Sequence, residues 1–164
     1  MVRFGILGCG RIAKRHSDLL GGNHIKDAAL VAVCDPIRER ADALAAKFGV
    51  PAYYDIDAFL ANRDIDAVSV LTPSGMHPEH TVACAKASKH VVVEKPMALR
   101  LQDADTMIHA CDEAGVKLFV VKQNRFNVPV VRAREALDQG RFGRLILGTV
   151  RVRWCRDQAY YDED

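Results

Sequence analysis

The sequence predicts an α/β protein built on a doubly wound parallel sheet, and three observations carry that prediction. Short all-apolar runs alternate with segments of helical periodicity from residue 2 to residue 137. The first run, Val2 to Leu7, breaks into Gly8-Cys9-Gly10-Arg11-Ile12-Ala13, which reads as a strand, a tight turn and a helix start. Polar residues able to do chemistry follow directly after the later runs, at what such a sheet makes its carboxyl edge.

The glycine turn is the element the rest is arranged around. Dinucleotide binding needs each of its parts: Gly8 for the sharp turn, Gly10 so that no side chain keeps a pyrophosphate from the backbone, and small Ala13 for close packing of helix on strand. Amides around Gly10, Arg11 and Ile12 then face the anion from the positive end of the helix. In isolation such a hexapeptide is an ordinary tight turn; its flanks favour the nucleotide reading.

Composition sets outer bounds. The 164 residues hold one complete core and the start of another, and 49% hydrophobic with 27% charged residues is ordinary for a globular chain. A net charge of +2 without a basic run argues against nucleic acid and membrane surfaces as partners. No stretch approaches the roughly 18 apolar residues of a membrane span, and the amino terminus enters a strand at once, so a cytoplasmic location is expected. Cys9, Cys34, Cys84, Cys111 and Cys155 are scattered without Cys-x-x-Cys spacing. They read as reduced, mostly buried small apolar residues, with no metal site expected. Cys9, inside the turn, is either packing or a thiol relevant to redox chemistry.

The elements follow in order. Ile12, His16, Leu19 and Leu20 form the stripe of the first helix, closed by Gly21-Gly22, and His16 is given no role beyond packing. The second run, Ala29 to Cys34, ends at Asp35-Pro36. Asp35 suits the adenosine ribose hydroxyls and repels the extra phosphate of NADP. It also suits a helix N-cap with proline at the first helical position, and both jobs are compatible. Arg38 and Arg40 keep NADP as a minority option. A helix with Ile37, Ala41, Leu44, Ala45 and Phe48 ends at Gly49, a short strand falls at Tyr53 and Tyr54, and Asp55 to Ala61 makes a turn or two of helix. The fourth strand, Asp66 to Leu71, runs into Thr72-Pro73-Ser74-Gly75-Met76-His77-Pro78. Position makes Thr72, Pro73 and Ser74 cofactor contacts, whereas His77 either touches the nicotinamide side or caps the helix at Pro78 to Ala87.

His90 to Val93 is the fifth strand, followed by Glu94-Lys95-Pro96. A charged pair leaving a buried strand is commonly a solvated end. Here Pro96 fixes the backbone so that Lys95 projects in a set direction, and an ammonium beside the cofactor can hold a hydroxyl and stabilise its developing alkoxide. A helix with Ala104, Met107, Ile108 and Cys111, a sixth strand at Lys117 to Val121, the polar cluster Lys122 to Asn127 and a helix with Val130, Ala133 and Leu137 complete the unit. From Gly143 the pattern changes: Ile146, Val150, Val152 and Trp154 alternate with residues of the other face, which predicts the first strand of a second, open-faced sheet.

Together Gly8-Cys9-Gly10-Arg11-Ile12-Ala13, Asp35, Thr72-Pro73-Ser74 and, most specifically, Glu94-Lys95-Pro96 resemble the glucose-fructose oxidoreductase and inositol dehydrogenase family over essentially the whole chain. The resemblance implies an N-terminal Rossmann domain, here residues 1–126, that binds NAD or NADP. It further implies a C-terminal α/β domain for substrate and oligomer contacts, of which residues 127–164 supply a linking helix and first strand. Lys95 matches the family's active-site lysine, and Gln123 and Arg125 fall near the nicotinamide and the domain junction. The stretches Val120 to Asn127 and Trp154 to Asp162 are similar to the branch that oxidises the 3-hydroxyl of UDP-N-acetylglucosaminuronic acid, on the route to diacetamido-mannuronic acid of bacterial surface polysaccharides, with Asp157 where a proline is usual. That branch implies Trp154 and Arg156 close to the cofactor.

The cofactor contacts expected are therefore Gly8, Gly10, Arg11, Ile12, Asp35, Thr72, Pro73, Ser74, His77, Glu94, Lys95, Gln123, Trp154 and Arg156, with Lys95 also catalytic. NAD is the expected cofactor, and the partner is a small-molecule sugar nucleotide. Family members continue through a histidine that works beside the lysine, and no residue here fills that place. Lys95 is thus expected to be half of an active site, in a piece that binds NAD with little turnover and whose full-length form is a homo-oligomer.

Overall fold

Six apolar runs become six strands of one parallel sheet: β1 (Val2–Leu7), β2 (Ala28–Cys34), β3 (Ala52–Tyr53), β4 (Ala67–Val70), β5 (His90–Val93) and β6 (Leu118–Val120). The computed structural model describes residues 1–162; residues 163 and 164, the end of the expected second domain, lie outside the described residues. Strand order is β3-β2-β1-β4-β5-β6, so the order reverses direction between β1 and β4. In open α/β sheets ligands bind at the carboxyl ends beside such a reversal.

The register aligns those ends. Leu7 sits opposite Cys34 and Val70, and Val70 opposite Val93. Backbone bonds from Gly8 N to Cys34 O, Leu71 N to Leu7 O and Glu94 N to Val70 O extend the ladder one residue further. Gly8, Asp35, Leu71 and Glu94 consequently leave the sheet along one rim.

Helices cover both faces, as continuously apolar strands require. Leu20 of α1 (Ala13–Gly21) and Leu44 of α2 (Arg38–Phe48) pack with Ile6 and Val33. Phe59 of α3 (Ile56–Leu60), Cys84 of α4 (His77–Lys86) and Met107 of α5 (Leu101–Glu113) pack with Val68, Val70, Val91 and Val93. Two expectations need correction here. The buried face of α1 is Ala13, Ser17 and Leu20, while Ile12 and Leu19 stay about 40% exposed. Small residues let the helix lie close on the sheet, which turns the expected stripe partly outward. Asp35 is not the N-cap of α2, which begins at Arg38; it accepts from the Ile37 amide two residues on, an Asx turn ahead of the helix.

Contacts divide the chain into a unit at Met1–Lys122, which holds the sheet, and a second beginning at Gln123. The second unit contains a 3-10 turn (Gln123–Phe126), α6 (Val128–Asp138) and α7 (Gln158–Asp162). The strand expected through Ile146 to Trp154 is not formed: no strand is assigned there, and no described residue pairs with it. Alternation selects a face but does not by itself make a strand, because backbone groups need a neighbouring ladder. No helix among the described residues is long and apolar enough to cross a membrane.

Candidate functional site

The glycine turn opens the rim. Gly8 has φ +95°, and a Cβ there would meet Leu71 C and Thr72 N at 2.8 Å, so the crossing of β1's exit with β4's exit admits only glycine. Gly10 differs: a Cβ there meets nothing within 4 Å, so its bare backbone faces open space. The Gly10 and Ile12 amides, ahead of α1, enter no backbone hydrogen bond among the described residues. Backbone donors outside the helix's own bonds, beside open space at a helix start, are what a diphosphate requires.

Asp35 lies directly beneath. Its carboxylate is 5% exposed and accepts from the Cys9 amide (2.7 Å) and the Ile37 amide (2.8 Å). One side chain thereby ties the end of β2 to the glycine turn, and each oxygen keeps a lone pair for a further donor such as a ribose hydroxyl. Burial, followed by the Asp35 charge, pushes the half-buried Cys9 thiol up to about 12. Cys9 is therefore packing and not a ready thiolate. Of the two arginines, Arg38 lies 4.0 Å over the Tyr54 ring, whose hydroxyl donates to Asp42 (2.6 Å), and Arg40 lines a cleft with Cys9 and Lys14.

The exit of β4 carries Thr72, Pro73 and Ser74, which lead into a 3-10 turn at Ser74–Met76. Pro73 is exposed, and Thr72 and Ser74 are half-buried. His77, expected either on the nicotinamide side or as a cap of the helix at Pro78, starts α4 and is buried. It is 1% exposed, with Nδ1 2.8 Å from Pro96 O and Nε2 2.9 Å from Thr72 O. Each ring nitrogen lies against a backbone carbonyl, so the polar edges of the ring are engaged within the protein. His80, one turn further on, meets the Thr72 hydroxyl through Nδ1 at 2.9 Å, and burial holds its pKa below the ordinary histidine value.

The exit of β5 carries Glu94 and Lys95. Lys95 is exposed; Glu94 is 8% exposed and turns inward, accepting from the Lys95 amide at Oε2 (3.0 Å) and meeting His16 Nε2 at Oε1 (3.1 Å). Glu94 thus ties the exit of β5 to α1. His16 is the residue that sequence reasoning passed over: a lone histidine on a helix carries no pattern, and its partner lies 78 positions away.

Gly8, Gly10, Arg11, Ile12, Asp35, Thr72, Pro73, Ser74 and Lys95 are accordingly gathered on one rim of the first unit. Gln123, Trp154 and Arg156 belong to the second unit and are exposed. There the Arg156 guanidinium lies 5.0 Å from the Trp154 ring and 4.6 Å from that of Tyr160.

Comparison with known proteins agrees with this geometry. A family model described as an oxidoreductase family with an NAD-binding Rossmann fold matches residues 2–122. The crystal structure of the WlbA dehydrogenase from Bordetella pertussis in complex with NADH and UDP-GlcNAcA is similar at 46% identity and a TM-score of 0.93, covering 98% of this chain and 49% of that one. Scyllo-inositol dehydrogenase from Lactobacillus casei, solved with NAD(H) and scyllo-inositol, is similar at 28% identity and a TM-score of 0.81, over 87% of this chain and 42% of that one. Myo-inositol 2-dehydrogenase of Thermotoga maritima is 38% identical over 144 residues, 87% of this chain and 42% of that protein. The chain thus spans less than half the length of each. The matched residues span the whole sheet unit, and the chain belongs to the oxidoreductase family with the NAD-binding Rossmann fold.

Proposed function

We propose that this chain is the cofactor-binding part of an NAD-dependent dehydrogenase that oxidises a hydroxyl of a sugar nucleotide, specifically C3 of UDP-N-acetylglucosaminuronic acid. The observation that carries the reading is the shared rim: an open glycine backbone, a buried ribose-directed carboxylate and an exposed lysine leave neighbouring strands at one level. The likeness to the WlbA dehydrogenase over nearly the whole chain favours the sugar-nucleotide substrate.

In this reading the Gly10 and Ile12 amides bind the diphosphate and Asp35 holds the adenosine ribose, its charge discriminating against a 2'-phosphate. Thr72 to Ser74 border the cofactor on the side of β4. NAD, when bound, supplies the hydride acceptor. Lys95 orients the substrate hydroxyl and stabilises negative charge growing on its oxygen as the proton leaves. Gln123, Trp154 and Arg156 contribute to the nicotinamide side in the full-length protein, which is a homo-oligomer.

The likeness to inositol dehydrogenases supports a second reading, in which the substrate is an inositol. Absorbance at the reduced nicotinamide band separates the two. Full-length protein reduces NAD with UDP-N-acetylglucosaminuronate and not with myo-inositol if the first reading is right, and Lys95→Met lowers kcat by at least about 100-fold. Turnover of myo-inositol alone would replace the first reading with the second.

A further inference from the structure

We propose that His16 and His77 are positioning residues that bracket Lys95 from two different helices and set the direction of its side chain. The inference rests on the reading of Lys95 as the catalytic lysine. Lys95 is exposed, yet the backbone on either side of it is held from within the protein. On the amino side its amide donates to Glu94 Oε2 at 3.0 Å, and Glu94 Oε1 meets His16 Nε2 of α1 at 3.1 Å. On the carboxyl side His77 Nδ1 of α4 lies 2.8 Å from the Pro96 carbonyl oxygen, and its Nε2 lies 2.9 Å from Thr72 O.

The arrangement joins three exits of the sheet. His16 belongs to the helix whose start faces the proposed diphosphate position, and through Glu94 it reaches the exit of β5. His77 fills the space between the exits of β4 and β5 and bonds to both. A lysine side chain has four rotors and loses rotamer freedom when held, so its backbone must already point correctly. A misplacement of about 1 Å at a reacting group can cost on the order of 100-fold in rate. Without His16, Glu94 Oε1 is a buried carboxylate oxygen without its partner, and the carboxylate that holds the Lys95 amide is free to turn toward water.

A purely structural role for the histidines predicts lost stability and nothing particular to Lys95. Trace acetylation of lysines in this chain, without cofactor and read by peptide mass spectrometry, separates the roles. Exposed Lys26 and Lys117 serve as internal references. His16→Leu and His77→Gln raise the relative rate at Lys95 at least threefold, because each removes one anchor. His16→Gln, whose amide nitrogen can donate to Glu94 from the Nε2 position, and His77→Asn, whose amide nitrogen can donate to the Pro96 carbonyl from the Nδ1 position, bring the rate back toward wild type. An unchanged or lowered Lys95 rate in His16→Leu and His77→Gln, or an equal change at the reference lysines, overturns the proposal. If the His77 variants do not fold, the half-buried His16 pair decides alone. Because no cofactor is present, failure of the chain to bind NADH in a separate titration would reject the cofactor reading while leaving this result to stand.

Discussion

Both units of the chain carry large apolar side chains, and they place them in opposite surroundings. Within residues 1–122, Phe59, Ile6, Ile65 and Met107 are at most 2% exposed, closed between sheet and helices. Beyond Gln123 no described residue is buried, and Ile146, Leu147 and Val150 are 85 to 91% exposed. The first unit completes its own hydrogen-bond ladders and core, whereas the second offers a two-faced pattern without a ladder. The rim proposed to hold the cofactor belongs to the unit with the closed core.

The largest effect is expected from Phe59→Ala, which removes a fully buried ring and costs about 3–5 kcal/mol by urea denaturation. Trp154→Ala, at a 71% exposed position, changes stability by less than about 0.5 kcal/mol. Similar losses for the two would erase the distinction. Gly8→Ala forces a side chain onto the Leu71–Thr72 backbone at positive φ and should cost about 2 kcal/mol, with NADH affinity falling in parallel.

Acid titration gives a smaller effect. Hydrogen bonds from Arg3, side chain first and then backbone, hold the Asp66 carboxyl down at about 2. The folded value lies below the unfolded one of about 4, so the stabilisation is present above that pH and fades as pH falls from 4 toward 2. Arg3→Met should flatten that part of the stability curve; an unaltered slope would remove the Arg3–Asp66 link as its cause. The smallest effect is in thiol labelling. Cys155 is exposed, while Cys34, Cys84 and Cys111 are buried and Cys9 half-buried, so alkylation of the native chain should reach Cys155 first and the others on unfolding. Burial pushes the Cys9, Cys34 and Cys84 thiols up to about 12, which slows them further.

Much of this was legible in the sequence because buried parallel strands announce themselves as apolar runs. Val2 to Leu7 and His90 to Val93 are β1 and β5 in full, and the other strands shift by one residue at one end or both. The glycine turn, Asp35 and Lys95 were legible because each follows such a run. The face of α1 was not, since Ala13 and Ser17 are too small to register as a stripe. Nor were the tasks of His16, His77 and Glu94, which depend on partners brought together by strand order and not by spacing. The strand expected through residues 146 to 154 had the right alternation and lacked a neighbour, which no local pattern can supply.

The central claim is that bare backbone at Gly10 and the carboxylate of Asp35 form one cofactor grip. Calorimetric titration of the folded chain with NAD and NADP, for wild type and Asp35→Ala, tests it most directly. Wild type is expected to bind NAD more tightly than NADP, and the substitution to weaken NAD about 10- to 100-fold while NADP loses less. No heat of binding from folded wild-type chain, or equal losses for the two nucleotides, would contradict it.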